Sequence, residues 1–303
     1  MNAEPPRTAR RPRWRVYLDL GRVSNLPTVW TNCLAGATLS GAALEMSTLL
    51  VVAAAISCFY TGGMFLNDAF DHRYDGKSRA SRPIPSGEIG LFEVYALGFG
   101  LLVVGQSGIY AASVLQSGPR LEPLFIGLIL GVLIVYYNYR HKTDPYSPVV
   151  MAVCRGLIYL IAGSIAAGSP PGEVWAGALV LASYVAGLTC LAAQEDLNRV
   201  KALWPALLLL APMAFGLYAA VWGPSHWALL PLLGFFLFWT LWSGSFLSAR
   251  QRNVPRAVTG LIAGISLVDG ILIAAVSSET VGLVLALAGL LLTRALQRFV
   301  PGT

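Results

Sequence analysis

Asn67, Asp68, Asp71 and Asp75, in the run Asn67-Asp68-Ala-Phe-Asp71-His-Arg-Tyr-Asp75, are the residues in this sequence best spaced to do chemistry. Read as a helix, the three carboxylates stand at i, i+3 and i+7, within an arc of roughly 60°. Three like charges on one face at the edge of an apolar segment repel one another. Each also costs about 2.5–3.5 kcal/mol if drawn toward a bilayer centre. A hard divalent cation removes that repulsion, and Mg²⁺ characteristically shares one or two carboxylates with substrate phosphates. Asn67 adds an amide for a metal-bound oxygen or for the phosphate. The loop that follows supplies Arg73, Lys77, Arg79 and Arg82, then Pro83 and the turn Pro85-Ser86-Gly87. Guanidinium forks fit diphosphate oxygens. An acidic face followed by a basic loop is equipment for holding a metal-diphosphate. The competing reading, a salt-bridged loop at the membrane edge, has no need of three aspartates on one face.

The element that positions them is a membrane helix. Of 303 residues 56% are apolar and 12% charged, with a mean hydropathy of +0.64, whereas a soluble domain carries about 25% charged residues. A span needs roughly 20 apolar residues. Ten segments qualify, near 23–43, 47–69, 91–114, 122–139, 148–168, 173–193, 203–222, 226–248, 258–277 and 280–297. The expectation is an all-α polytopic membrane bundle. A basic, disordered cytoplasmic tail (1–14) precedes a single transmembrane domain (15–303). The connection 70–90 is too long for a plain turn and marks a functional loop.

The formal charge of +6 does not indicate nucleic acid, because the basic residues sit in short clusters between apolar segments. Nineteen of the 21 Lys and Arg fall on one side of the alternating spans; Arg120 lies opposite and Arg155 within a span. By the positive-inside rule this places both termini, and every acidic cluster, in the cytoplasm. Cys33, Cys58, Cys154 and Cys190 lie singly in apolar segments, and with three histidines in the chain they make no zinc site. Their expected role is packing.

The run Asn67–Asp75 followed by Arg82-Pro83-Ile84-Pro85-Ser86-Gly87 resembles the first signature of the UbiA superfamily of membrane prenyltransferases, N-D-x-x-D-x-x-x-D and then R-P-x-x-S-G. Tyr137 through Lys142 resemble the family's element in which a tyrosine precedes two basic residues. The run His141–Pro148 with Cys154-Arg155 looks most like the bacterial EboC-like branch. The resemblance covers roughly residues 15–277. It implies nine core helices around a cavity, with 280–297 as an extra, peripheral C-terminal helix.

The resemblance also implies an isoprenyl diphosphate held by two Mg²⁺ ions, one on Asp68, Asp71 and Asp75 and one on a second acidic motif. That motif departs from the pattern: Ala192 stands where the first acid is expected, leaving Glu195 and Asp196 as ligands. Arg79, Arg82, Arg140, Lys142 and Arg22 are the implied diphosphate residues. Asn25, Asn32 and Arg155 are candidates for the acceptor or cavity wall. Interface anchoring, interhelical hydrogen bonding and internal pairing are their respective alternatives. Asp269, mid-span, is read as a structural acid or an acceptor-site base. His72 is read as a solvated loop residue or a base. The expected reaction transfers an isoprenyl group to an electron-rich, often aromatic, acceptor at the cytoplasmic face of a bacterial cytoplasmic membrane. Cyclisation without an acceptor, and a non-catalytic polyprenyl-lipid carrier, are the alternatives.

Overall fold

The structure is a computed structural model, and it describes residues 11–193, 204–223, 229–247, 253–277 and 280–302. Among these residues it is all helix and turn. Helix α1 (Arg13–Leu20) leads through a short 3₁₀ turn (Val23–Asn25) into α2 (Leu26–Leu39) and the long α3 (Met46–Ser78). Then come α4 (Leu91–Ser117), α5 (Leu121–Arg140), α6 (Ser147–Ala167) and α7 (Gly172–Ala192). The bundle is completed by α8 (Pro205–Leu208), α9 (Ala211–Trp222), α10 (Leu229–Ser245), α11 (Val254–Val276) and α12 (Val281–Leu296). Seven helical segments, with α8 and α9 counted as one, are long and apolar enough to cross a membrane; α10 and α12 are shorter apolar helices.

The length of α3 positions the site. Its 33 residues span about 50 Å at 1.5 Å each, against roughly 30 Å of hydrocarbon. The apolar part spans, and the last three turns, which carry the aspartates, project beyond it.

Helices approach one another through glycine, as small residues permit in membranes. A Cβ on Gly36 of α2 would stand 2.6 Å from the Tyr159 carbonyl oxygen of α6, and one on Gly62 of α3 would stand 2.8 Å from the Gly98 carbonyl of α4. Helix α11 is buried almost all round and forms the axis of the second half. Large apolar side chains such as Leu50, Val103, Leu128, Leu179 and Leu241 point outward, where lipid is their natural solvent.

Two boundaries and the packing of one helix differ from the sequence reading. The first span, expected at 23–43, is the 14-residue α2, because the chain breaks at Arg22 in the left-handed region and turns again at Gly41. Helix α1 starts at Arg13, inside the stretch assigned to the tail. It is fastened by Arg13 to Glu93 at 2.6 Å and by Arg11 to Asp19 at 2.9 Å and Glu88 at 3.0 Å. Helix α12, expected as a peripheral addition, packs on α11 and α2: a Cβ on Gly289 would stand 2.8 Å from both Ser266 and Thr31.

Candidate diphosphate site

Asn67, Asp68, Asp71 and Asp75 are all buried at the projecting end of α3. Burial of this much charge demands partners, and basic side chains from three directions supply them. Just after α3, the loop is folded by the Ser86 N–H donating to the Arg82 carbonyl (3.0 Å) and by Gly87 at φ 75°, a backbone region that glycine adopts without penalty. This turn swings Arg82 back over the helix. Its Nη1 donates to Asp68 Oδ1 at 2.8 Å and to Asp75 Oδ2 at 3.3 Å. One guanidinium therefore bridges the first and last carboxylates of the face.

Arg22 Nη2 approaches Asp68 Oδ1 to 3.7 Å from the junction before α2. Arg22 is the one described non-glycine residue with positive φ (42°), a conformation costing about 1–2 kcal/mol. The third direction is the end of α5, where His141 Nε2 and Lys142 Nζ reach Asp71 Oδ2 at 3.3 and 3.4 Å. Lys142 also lies 4.4 Å from the Tyr74 ring centroid. Asn67 Nδ2 donates to Asn138 Oδ1 (3.1 Å), and Asn138 Nδ2 donates to the Gly63 carbonyl (3.0 Å).

Each of the three expected metal ligands, Asp68, Asp71 and Asp75, is engaged by a basic partner in this structure. Among the described residues no three His, Cys, Asp or Glu are grouped to hold a metal. Asp71 is drawn toward α5, while Asp68 and Asp75 share Arg82. The donor set nevertheless fits Mg²⁺: hard carboxylate oxygens whose present neutraliser is a cation that also binds phosphate, for an ion that asks one or two carboxylates of the protein.

Other expected residues divide. Arg79 forms the cap of α3, its N–H donating to the Asp75 carbonyl at 2.7 Å. Arg140 is exposed and its charge acts on Asp144 instead of the aspartate face. The Asp144 carboxyl is held below its usual range by the Tyr146 N–H, then by the Tyr136 hydroxyl and Arg140. His72 is tied to its own helix, with Nδ1 2.8 Å from the Ala69 carbonyl oxygen. Glu195 and Asp196 lie outside the described residues.

Asn25 is buried and fully engaged. It donates to Tyr60 (3.2 Å) and the Gly302 carbonyl (2.9 Å) and accepts from Gln297 (3.1 Å). It is a joint between the first helix and the C-terminus.

Deeper, an apolar cavity of about 100 Å³ is walled by Phe59, Ile134, Tyr137, Met151 and Ile158, with Asn138 and Arg155 as polar members. Arg155 donates to Asn32 Oδ1 at 2.7 Å and Thr28 Oγ1 at 3.3 Å. Asn32 donates onward to both oxygens of Asp269, at 2.8 and 3.0 Å. Thr31 and Tyr159 also donate to Asp269. The cation and the buried acid are thus joined through an amide. Sequence reading passed over Asn138; its signal was a lone amide at the end of an apolar span.

Residues 26–258 match the family model described as the UbiA prenyltransferase family. The chain belongs to that family. Among curated UbiA relatives, digeranylgeranylglyceryl phosphate synthase of Ignicoccus hospitalis is 30% identical over 53% of this chain and 50% of its own length. The enzyme of the same name from Saccharolobus solfataricus is 28% identical over 48% and 50%. A 4-hydroxybenzoate octaprenyltransferase of Pectobacterium carotovorum is 35% identical over 30% and 36%. The chain spans about half the length, or less, of the curated relatives it matches. Among solved structures, a UbiA homologue from Aeropyrum pernix in its apo form superposes with a TM-score of 0.64 at 16% identity, covering 82% of this chain and 94% of that one. A digeranylgeranylglyceryl phosphate synthase structure gives 0.59 at 20%, covering 87% and 97%. At these identities the likeness establishes the fold, a polytopic helical membrane bundle.

Proposed function

We propose that this chain is a Mg²⁺-dependent prenyltransferase that moves an isoprenyl group from an allylic diphosphate to a small-molecule acceptor at the cytoplasmic face of the membrane. The observation that carries it is Arg82, bridging Asp68 and Asp75, with Arg22 behind it and an apolar cavity beyond. A carboxylate face neutralised by guanidinium groups can exchange its partners: the acids turn to metal and the arginines to phosphate. Asp68 and Asp75 would hold Mg²⁺ together with diphosphate oxygens, and Asp71 would join from its His141–Lys142 contact. When bound, Mg²⁺ supplies positive charge to the leaving diphosphate.

Arg82, Arg22 and Lys142 orient the diphosphate and stabilise the charge it gains as the allylic carbon–oxygen bond breaks. The isoprenyl chain lies in the apolar cavity, where Phe59, Tyr60 and Tyr137 keep water from the allylic cation and offer it their ring faces. The names of the relatives include one phosphorylated glyceryl lipid and one hydroxybenzoate, so the acceptor class is open between them. Arg155 lines the cavity, with Asn32 bonded behind it, on the side where an acceptor would lie.

The test uses the purified chain with Mg²⁺ and labelled geranyl, farnesyl or geranylgeranyl diphosphate, with and without extract of its own cells. Label transferred only when extract is present supports transfer and identifies the acceptor by mass. Release of a labelled hydrocarbon without acceptor replaces transfer with cyclisation. No diphosphate release at any chain length, despite binding, overturns catalysis and leaves a lipid carrier.

A further inference from the structure

At the aspartate end Arg11, Arg13, Arg22 and Arg82 each have an acid for a partner. At the same end of the bundle a second cluster does not. Arg256, at the start of α11, and Arg294 and Arg298, at the end of α12, line a cavity of about 330 Å³ with Thr259, Gln297 and the terminal Pro301–Gly302. Among the described residues no carboxylate pairs with any of the three.

Three like charges around one concavity raise its energy unless an anion enters. Yet two of the three side chains are held in place. Arg256 lies 4.2 Å from the Phe246 ring centroid and Arg294 lies 6.0 Å from that of Trp239. Arg294 Nη1 donates to Gln297 Oε1 at 2.9 Å, and Gln297 is fixed by the Asn25 side chain at 3.1 Å and the Thr259 carbonyl at 3.2 Å. A merely snorkelling arginine needs no such fixing. Arg294, on α12, and Arg298, just after it, lie beyond the residues that match the family.

We propose that Arg256, Arg294 and Arg298 form a second anion site, selective for a phosphate group. Convergent guanidinium groups suit a tetrahedral oxyanion with several acceptor oxygens. The site adjoins the candidate diphosphate site: Pro301 lines this cavity and also the one containing Arg22, Asp68 and Arg82. Its phosphate can belong to an anionic lipid headgroup or to free phosphate, and the two sources separate experimentally. The proposal does not depend on prenyl transfer.

The full chain and an R256Q/R294Q/R298Q variant are compared in two arms. Native mass spectrometry from micelles doped with phosphatidylglycerol or phosphatidylcholine reads retained lipid. Calorimetry with inorganic phosphate, in nanodiscs of phosphatidylcholine alone, reads the free anion. Selective retention of phosphatidylglycerol identifies a headgroup site; saturable phosphate binding identifies a soluble anion.

In the responding arm the triple variant binds at least about tenfold more weakly, the loss of one or more charge-assisted hydrogen bonds. R120Q, altered at the opposite end of the bundle, binds as wild type. The single R298Q, at an exposed position, weakens binding in the same arm and serves if the triple variant elutes as aggregate. Binding absent in both arms, or unchanged in the triple variant, or lost equally in R120Q, overturns the site.

Discussion

Arg82 is the residue on which the candidate site turns, because among the described residues it alone pairs with two aspartates of the face. A lysine there keeps the charge and loses the fork, so it can serve one carboxylate or one phosphate oxygen at a time. R82K should therefore reduce turnover about 10- to 100-fold, the cost of one or two charge-assisted hydrogen bonds, with the melting temperature in detergent little changed. Equal turnover in R82K and wild type would remove Arg82 from the mechanism. The buried Arg155–Asn32–Asp269 relay makes a different prediction. Removing one charge strands the other, at about 3–5 kcal/mol, so R155M and D269L should each lower thermal stability sharply. The double variant should recover much of that loss, a coupling that a double-mutant cycle reads directly. The aspartate face was legible in the sequence because its periodicity is local. The relay was not: Arg155, Asn32 and Asp269 each stood out as polar residues in apolar spans, but 237 residues separate the last two, and only packing joins them.

Among the elements, α3 was read nearly whole, since its apolar run passes without proline or glycine pair into the aspartate turns apart from Gly62-Gly63. Element ends were less legible. The start of α2 is set by a left-handed arginine, a conformation no propensity assigns to that residue type. The packing of α2 on α6 rests on Gly36. A methyl there would meet the Tyr159 backbone at 2.6 Å, and backbone cannot turn aside. G36A should cost about 1–3 kcal/mol through overpacking, measured by thermal melting. Gly100 of α4, with open space where a Cβ would stand, is the matched control. G100A should be neutral or stabilising by up to about 1 kcal/mol. Equal losses at the two positions would mean that close approach is not what Gly36 provides.

At the scale of the molecule, the chain gathers its chemistry at one end. Asp68, Arg82, His141 and Lys142 meet there, and Asn25 binds the carbonyl of Gly302. The opposite end carries Arg120 as its one described Lys or Arg, packed against Gly168. Charge asymmetry along the sequence made this gathering legible, because lysine and arginine sort by side of the membrane regardless of packing. The closure of the bundle by α12 was not legible, since an apolar run says that a helix exists and not what it packs on.

The central claim is that the aspartate face and its arginines bind and activate a Mg²⁺-diphosphate. Diphosphate release from a labelled allylic diphosphate, followed against Mg²⁺ concentration in wild type and D68N, tests it most directly. The account predicts saturable dependence on Mg²⁺ in wild type and abolition by chelation. D68N should lose about 10²–10³-fold in rate, as when one preorganised charge-stabilising group is removed, while eluting as wild type does. Turnover that persists in chelator, or a D68N variant as fast as wild type at every Mg²⁺ concentration, would contradict it.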